Sequence, residues 1–124
     1  MDFNITILIV DDFESMRRIV KGTLKSIGFS NFIEAEDGVI ALKKLEKENI
    51  DLIISDWIMP NMNGLDFLKA VKGNEKLKNI PFIMVTAEGQ KANVLEAINA
   101  GVNNYIVKPF TPETLHAKLK KVLG

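Results

Sequence analysis

Five short apolar runs, each separated from the next by room for one helix, constrain this chain more than any other feature. They span 5–10, 31–35, 52–55, 82–86 and 105–107. Most are continuous rather than alternating, which is how strands covered on both faces read. The second, with Asn31 and Glu34, is the most polar and suits a sheet edge. Helical period fills the gaps. Met16, Ile19, Val20, Leu24 and Ile27 form one apolar stripe, stopped by Gly28. Ile40, Ala41 and Leu45 form a second, and Leu65, Leu68 and Val71 a third. Val94, Leu95 and Ile98 form a fourth, and Leu115, Leu119, Val122 and Leu123 the last. Thr111-Pro112-Glu113 opens that last helix with an N-cap, a proline at the first helical position and an acid in the first turn. Alternation of this kind predicts an α/β fold, a doubly wound five-stranded parallel sheet with helices on both faces. One domain over residues 1–124 is expected, with no linker or repeat and nothing after Leu123-Gly124 to serve as an effector.

Composition narrows the function. A chain of 124 residues, 47% hydrophobic, buries enough surface to fold without staples. Cys is absent and His occurs once, so thiolate chemistry and multi-His metal sites are excluded. Sixteen Lys+Arg balance sixteen Asp+Glu, which argues against nucleic acid as a general partner. No apolar run reaches the roughly 18 residues of a membrane span, and Met1-Asp2-Phe3-Asn4 is no secretory start. A cytoplasmic location is expected. The first half of the chain is net acidic and the second net basic.

Ligands of open parallel sheets bind beyond the carboxyl ends of the strands. Asp11-Asp12 follows the first strand, Asp56 and Thr86 end the third and fourth, and Lys108-Pro109 follows the fifth. Three carboxylates, a hydroxyl and an ammonium are thereby expected on one rim. Close carboxylates repel, and a hard divalent cation relieves the repulsion; Mg²⁺ also accepts water and phosphate oxygens as ligands. A carboxylate beside it can take a phosphoryl group, with Lys108 neutralising the phosphoryl oxygens and Thr86 bonding to them. Plainer roles exist for each residue alone: Asp12 as a cap for the helix starting near Phe13, Asp56 as a turn residue, Lys108 as a solvated charge.

At this point the chain resembles the single-domain response-regulator receivers, and among them the chemotaxis receivers. The stretches that carry the resemblance are Val10-Asp11-Asp12-Phe13, Met16-Arg17-Arg18-Ile19-Val20, Glu34-Ala35-Glu36-Asp37-Gly38, Ser55-Asp56-Trp57, Met59-Pro60-Asn61-Met62, Asn63-Gly64-Leu65, Met84-Val85-Thr86-Ala87-Glu88, Ala100-Gly101 and Lys108-Pro109-Phe110-Thr111. The resemblance implies a flavodoxin-like strand order 2-1-3-4-5. It implies Asp56 as phosphoacceptor, and Mg²⁺ held by Asp12, Asp56 and the backbone carbonyl of Ile58, with Asp11 acting through water. Lys108, ahead of a cis bond to Pro109, would contact the phosphoryl group. Thr86 would move toward it, and Tyr105 would then turn inward. The implied donor is a CheA-type histidine kinase. The implied target is the flagellar motor switch protein FliM, on a face made by Lys91, Val94, Ile98, Tyr105, Lys118 and Lys121. A CheZ-, CheX- or FliY-type phosphatase would reset a monomeric, non-enzymatic switch.

One position departs from the family pattern. Ile58 stands two residues after Asp56, where the best-known chemotaxis receivers carry Asn. Its carbonyl still suits a metal, but its branched side chain is expected to shield the phosphoryl group from water. Glu88 flanks the same approach in the family. Trp57 reads as packing that can also report on metal binding, and His116 as a surface residue. A relay intermediate or phosphate sink is the nearest alternative. A Mg²⁺-dependent aspartyl-phosphate phosphatase is more distant, since Asp56-Trp57-Ile58 lacks the second acid two residues on. A flavodoxin-type cofactor site is disfavoured by Asp11-Asp12, which repels phosphate after the first strand.

Overall fold

The computed structural model describes residues 1–87 and 91–124, without the side chain of Lys91. Glu88 and the Lys91 side chain therefore lie outside the described residues. Strands β1 (Thr6–Val10), β2 (Asn31–Ala35), β3 (Leu52–Asp56), β4 (Phe82–Thr86) and β5 (Asn104–Val107) alternate with helices α1 (Glu14–Ile27), α2 (Gly38–Lys47), α3 (Gly64–Lys72), α4 (Lys91–Asn99) and α5 (Pro112–Leu123). All neighbouring strands pair in parallel, in the order β2-β1-β3-β4-β5. The doubly wound expectation is met, and the polar second run is an edge strand.

Residue parity in the strands sorts side chains to the two faces. Leu8, Val10, Ile53, Phe82 and Met84 join Phe67, Leu68 and Ala97 in one core layer. Ile7, Ile9, Ile54, Ile83, Val85 and Ile106 join Val20, Leu24, Leu115 and Leu119 in the other. Helices α2, α3 and α4 thus cover one face, and α1 and α5 the other. The strand order switches from one side of β1 to the other between β2 and β3, so a crevice opens at the carboxyl ends of β1 and β3. None of the described helices is long and apolar enough to cross a membrane.

Two apolar stripes are narrower than their periodicity predicts. Ile19 is 57% exposed, while Arg17, Val20 and Leu24 are the buried residues of α1. In α4, Leu95 and Ile98 are exposed, and Ala97 enters the core. Period marks a helix, but the sheet covers only part of each apolar arc. The last helix starts as expected: the Thr111 hydroxyl accepts a hydrogen bond from the Thr114 N–H, with Pro112 in the first turn. The same capping by a side-chain oxygen starts α2 at Asp37 and α3 at Asn63. His116 is half-buried rather than fully exposed.

Candidate functional site

Asp11, Asp12 and Asp56 come together at the ends of β1 and β3. Each can offer one carboxylate oxygen within 4.8 Å of the others. Asp12 and Asp56 line a crevice of about 570 Å³, together with Ile58, Thr86 and Lys108, and Asp11 lies just behind them. The strand-end reading therefore holds for every carboxylate, for the hydroxyl and for the ammonium. Lys108 is brought in by β5: its N–H donates to the Thr86 carbonyl at 2.7 Å, and the Lys108-Pro109 peptide bond is cis, as the resemblance implied.

The three carboxylates differ in what already holds them. Asp11 is almost fully buried. Its Oδ1 accepts the Phe13 N–H at 3.0 Å, and its Oδ2 lies 3.4 Å from the Lys108 ammonium. Asp12 does not cap α1; that position belongs to Phe13, which makes no side-chain cap bond. Instead, Asp12 Oδ1 is buried with no partner among the described residues. Asp56 Oδ1 accepts the Trp57 N–H at 2.9 Å and lies 3.3 Å from Lys108 Nζ. Burial lifts the Asp56 carboxyl above its ordinary range; Lys108 opposes the rise and the Asp11 charge adds to it.

Thr86 is also buried, with its Oγ1 lacking a hydrogen-bond partner among the described residues. A buried polar atom without a partner is costly unless something else satisfies it. Two such atoms, from residues of one crevice and beside three carboxylates, fit a cation and an oxygen-rich group. Oxygen-only donors suit Mg²⁺ rather than a softer metal. Ile58 is 72% exposed at the crevice wall. Trp57 is half-buried and packs against the core.

Asn93, Phe13 and Ala87 also line the crevice. Phe13 and Ala87 directly follow Asp12 and Thr86, so chain adjacency was their signal. Asn93 had none, since its place depends on how α4 docks. Gly64 stands in one of the stretches that carry the resemblance, but nothing in the sequence assigned it a role. A Cβ there would lie 2.2 Å from the Asp56 carbonyl oxygen and 2.8 Å from Trp57 Cα. Only glycine lets the start of α3 pass this close to the end of β3, where its N–H donates to the Trp57 carbonyl at 2.7 Å.

Farther round the molecule, Tyr105 is half-buried and packs against the α2–α4 core layer. The Lys118 ammonium sits 5.0 Å from its ring centroid and donates to Asn104 Oδ1 at 3.3 Å. Val94 is half-buried on α4.

A family profile described as the response regulator receiver domain matches residues 7–120. The chain is 52% identical to the chemotaxis protein CheY-3 of Vibrio cholerae over 96% of this chain and 92% of that one. It is 53% identical to the chemotaxis protein CheY1 of Helicobacter pylori, covering 95% and 96%. Among solved structures, the chemotaxis response regulator CheY4 of Vibrio cholerae matches with a TM-score of 0.87 at 39% identity, covering 96% of this chain and 98% of that one. Fold, site and sequence relatives agree: the chain belongs to the response regulator receiver family, among its CheY-like members.

Proposed function

We propose that the chain is a phosphorylation-switched chemotaxis regulator, cytoplasmic and free of catalysis on any other substrate. The observation that carries this reading is Asp56 at a strand end, 3.3 Å from Lys108 and sharing a crevice with the partnerless oxygens of Asp12 and Thr86. A CheA-type histidine kinase is the proposed donor. An Asp56 carboxylate oxygen attacks phosphorus, the P–N bond to the donor imidazole breaks, and its electron pair stays on that nitrogen. Lys108 offsets charge on the phosphoryl oxygens, and the free Thr86 hydroxyl becomes a donor to one of them. Asp12, Asp56 and the Ile58 carbonyl are the proposed direct ligands of Mg²⁺, which supplies charge neutralisation when bound. The bonds Asp11 already makes to Phe13 and Lys108 suit a ligand acting through water.

Reset is the reverse substitution by water: a water oxygen attacks phosphorus, the P–O bond to Asp56 breaks, and inorganic phosphate leaves. Ile58 presents exposed apolar bulk at this crevice. Ile58→Asn is expected to speed loss of the phosphoryl group several-fold, measured as decay of the phosphorylated mass with time. Slower or unchanged decay contradicts shielding by Ile58.

Output is proposed at the α4–β5–α5 side, where Ile98, Val94, Tyr105 and Lys118 offer apolar surface edged by a cation, with Lys121 on the same helix as Lys118. A short amphipathic helix with acidic residues, such as the FliM N-terminal segment, fits that chemistry. Drawing Thr86 toward a phosphoryl group would make room for the Tyr105 ring, and a partner preferring that state completes the switch. Affinity for the FliM peptide is expected to rise about tenfold with beryllofluoride in wild type and to change little in Thr86→Ala. Equal wild-type affinity in both conditions contradicts the switch and favours a relay intermediate or phosphate sink.

A further inference from the structure

Arg17 is the least exposed charged side chain of α1, with only 10% of its side chain accessible. Its Nη1 donates to the backbone carbonyl of Asp11 at 2.6 Å. Its Nε donates to Glu34 Oε1 at 3.1 Å, and the other oxygen of Glu34 accepts from Lys21 at 3.0 Å. Asp11 is thereby fixed on several sides at once. Its N–H donates to the Ala35 carbonyl at 3.1 Å, its Oδ1 accepts from Phe13, and its carbonyl is held by Arg17. The peptide unit that Arg17 grips is the one joining Asp11 to Asp12. A guanidinium can hold two acceptors in a fixed fork, and here it spans the turn after β1 and the side chain of Glu34 on edge strand β2.

We propose that Arg17 is a positioning residue for the cation site, setting the Asp11–Asp12 peptide so that both carboxylates converge with that of Asp56. This rests on the reading of Asp11, Asp12 and Asp56 as a Mg²⁺ site. Outer partners that orient metal ligands typically govern 10–100-fold in affinity. The charge of Arg17 predicts the opposite sign. Removing a cation near three carboxylates would tighten Mg²⁺ binding by simple electrostatics, whereas loss of positioning weakens it. Positioning wins because Arg17 bonds directly to the peptide that carries both ligands, while its charge is partly offset by Glu34, which Lys21 shares.

The test is calorimetric titration of Mg²⁺ into wild type, Arg17→Met, Arg17→Lys and Glu34→Gln, each confirmed folded by circular dichroism. Arg17→Met is expected to bind Mg²⁺ about tenfold more weakly. Arg17→Lys, which can replace one of the two bonds, is expected to fall between it and wild type, and carries the test if the Met variant does not fold. Glu34→Gln keeps an acceptor for Arg17 but frees its charge, and is expected to weaken binding less than Arg17→Met does while lowering the melting temperature. Affinity of Arg17→Met and Arg17→Lys equal to or tighter than wild type, when wild type binds, overturns the positioning role alone. No binding by wild type overturns the metal reading together with it.

Discussion

Asp12→Ala is expected to lose Mg²⁺ binding, by more than the roughly 100-fold that outer partners govern. Trp57 provides the readout, because its N–H bonds to Asp56 Oδ1 and its ring is half-buried beside the site. In wild type, Mg²⁺ is expected to quench or shift Trp57 fluorescence along a saturating curve; in Asp12→Ala the signal stays flat at the same concentrations. The effect is large because Asp12 Oδ1 has no partner among the described residues, so its function is tied to what enters the crevice. Asp11→Asn is expected to weaken binding less, since Asp11 is already engaged by Phe13 and Lys108. An Asp12→Ala titration superimposing on wild type would contradict the assignment.

Gly64→Ala is expected to destabilise the fold by about 3 kcal/mol, at the upper end of overpacking costs. That lowers the melting temperature by roughly 10 °C for a chain of this size. The added methyl meets the Asp56 carbonyl oxygen and Trp57 Cα, both backbone, and the Met84 sulfur. Backbone at the end of a central strand cannot rotate aside, so the shift is carried into Asp56 itself. Phosphoryl uptake is expected to drop in the fraction that remains folded. A melting temperature within about 2 °C of wild type would show that the start of α3 relaxes more freely than the packing implies.

The two results bear on what a sequence can reveal. Asp11, Asp12, Asp56, Thr86 and Lys108 were legible because topology alone carries strand ends to one edge of a parallel sheet, and each residue sits at or just past such an end. The role of Gly64 was not, because glycine before an apolar helix is compatible with any loop, and only the folded path of α3 shows that a side chain there would strike the Asp56 backbone. Arg17 was hidden for a similar reason. A basic residue in an amphipathic helix reads as a solvated charge, and its burial depends on Glu34 arriving from another strand. Ile19 and Leu95 erred in the opposite direction, since apolar period records helicity and leaves open which part of the arc the sheet covers. The division of labour between Asp11 and Asp12 came from hydrogen bonds to Phe13 and Lys108 that no spacing rule encodes.

The central claim is that Asp56 accepts a phosphoryl group, and its most direct measurement is the intact mass of the protein after mixing with acetyl phosphate and Mg²⁺. Wild type is expected to gain the mass of one phosphoryl group, to gain none when Mg²⁺ is chelated, and to lose the gain over time. Asp56→Asn, which keeps the size and the acceptor oxygen but removes the nucleophilic charge, is expected to gain nothing. Equal gain by Asp56→Asn, or no gain by the wild type, would contradict the account.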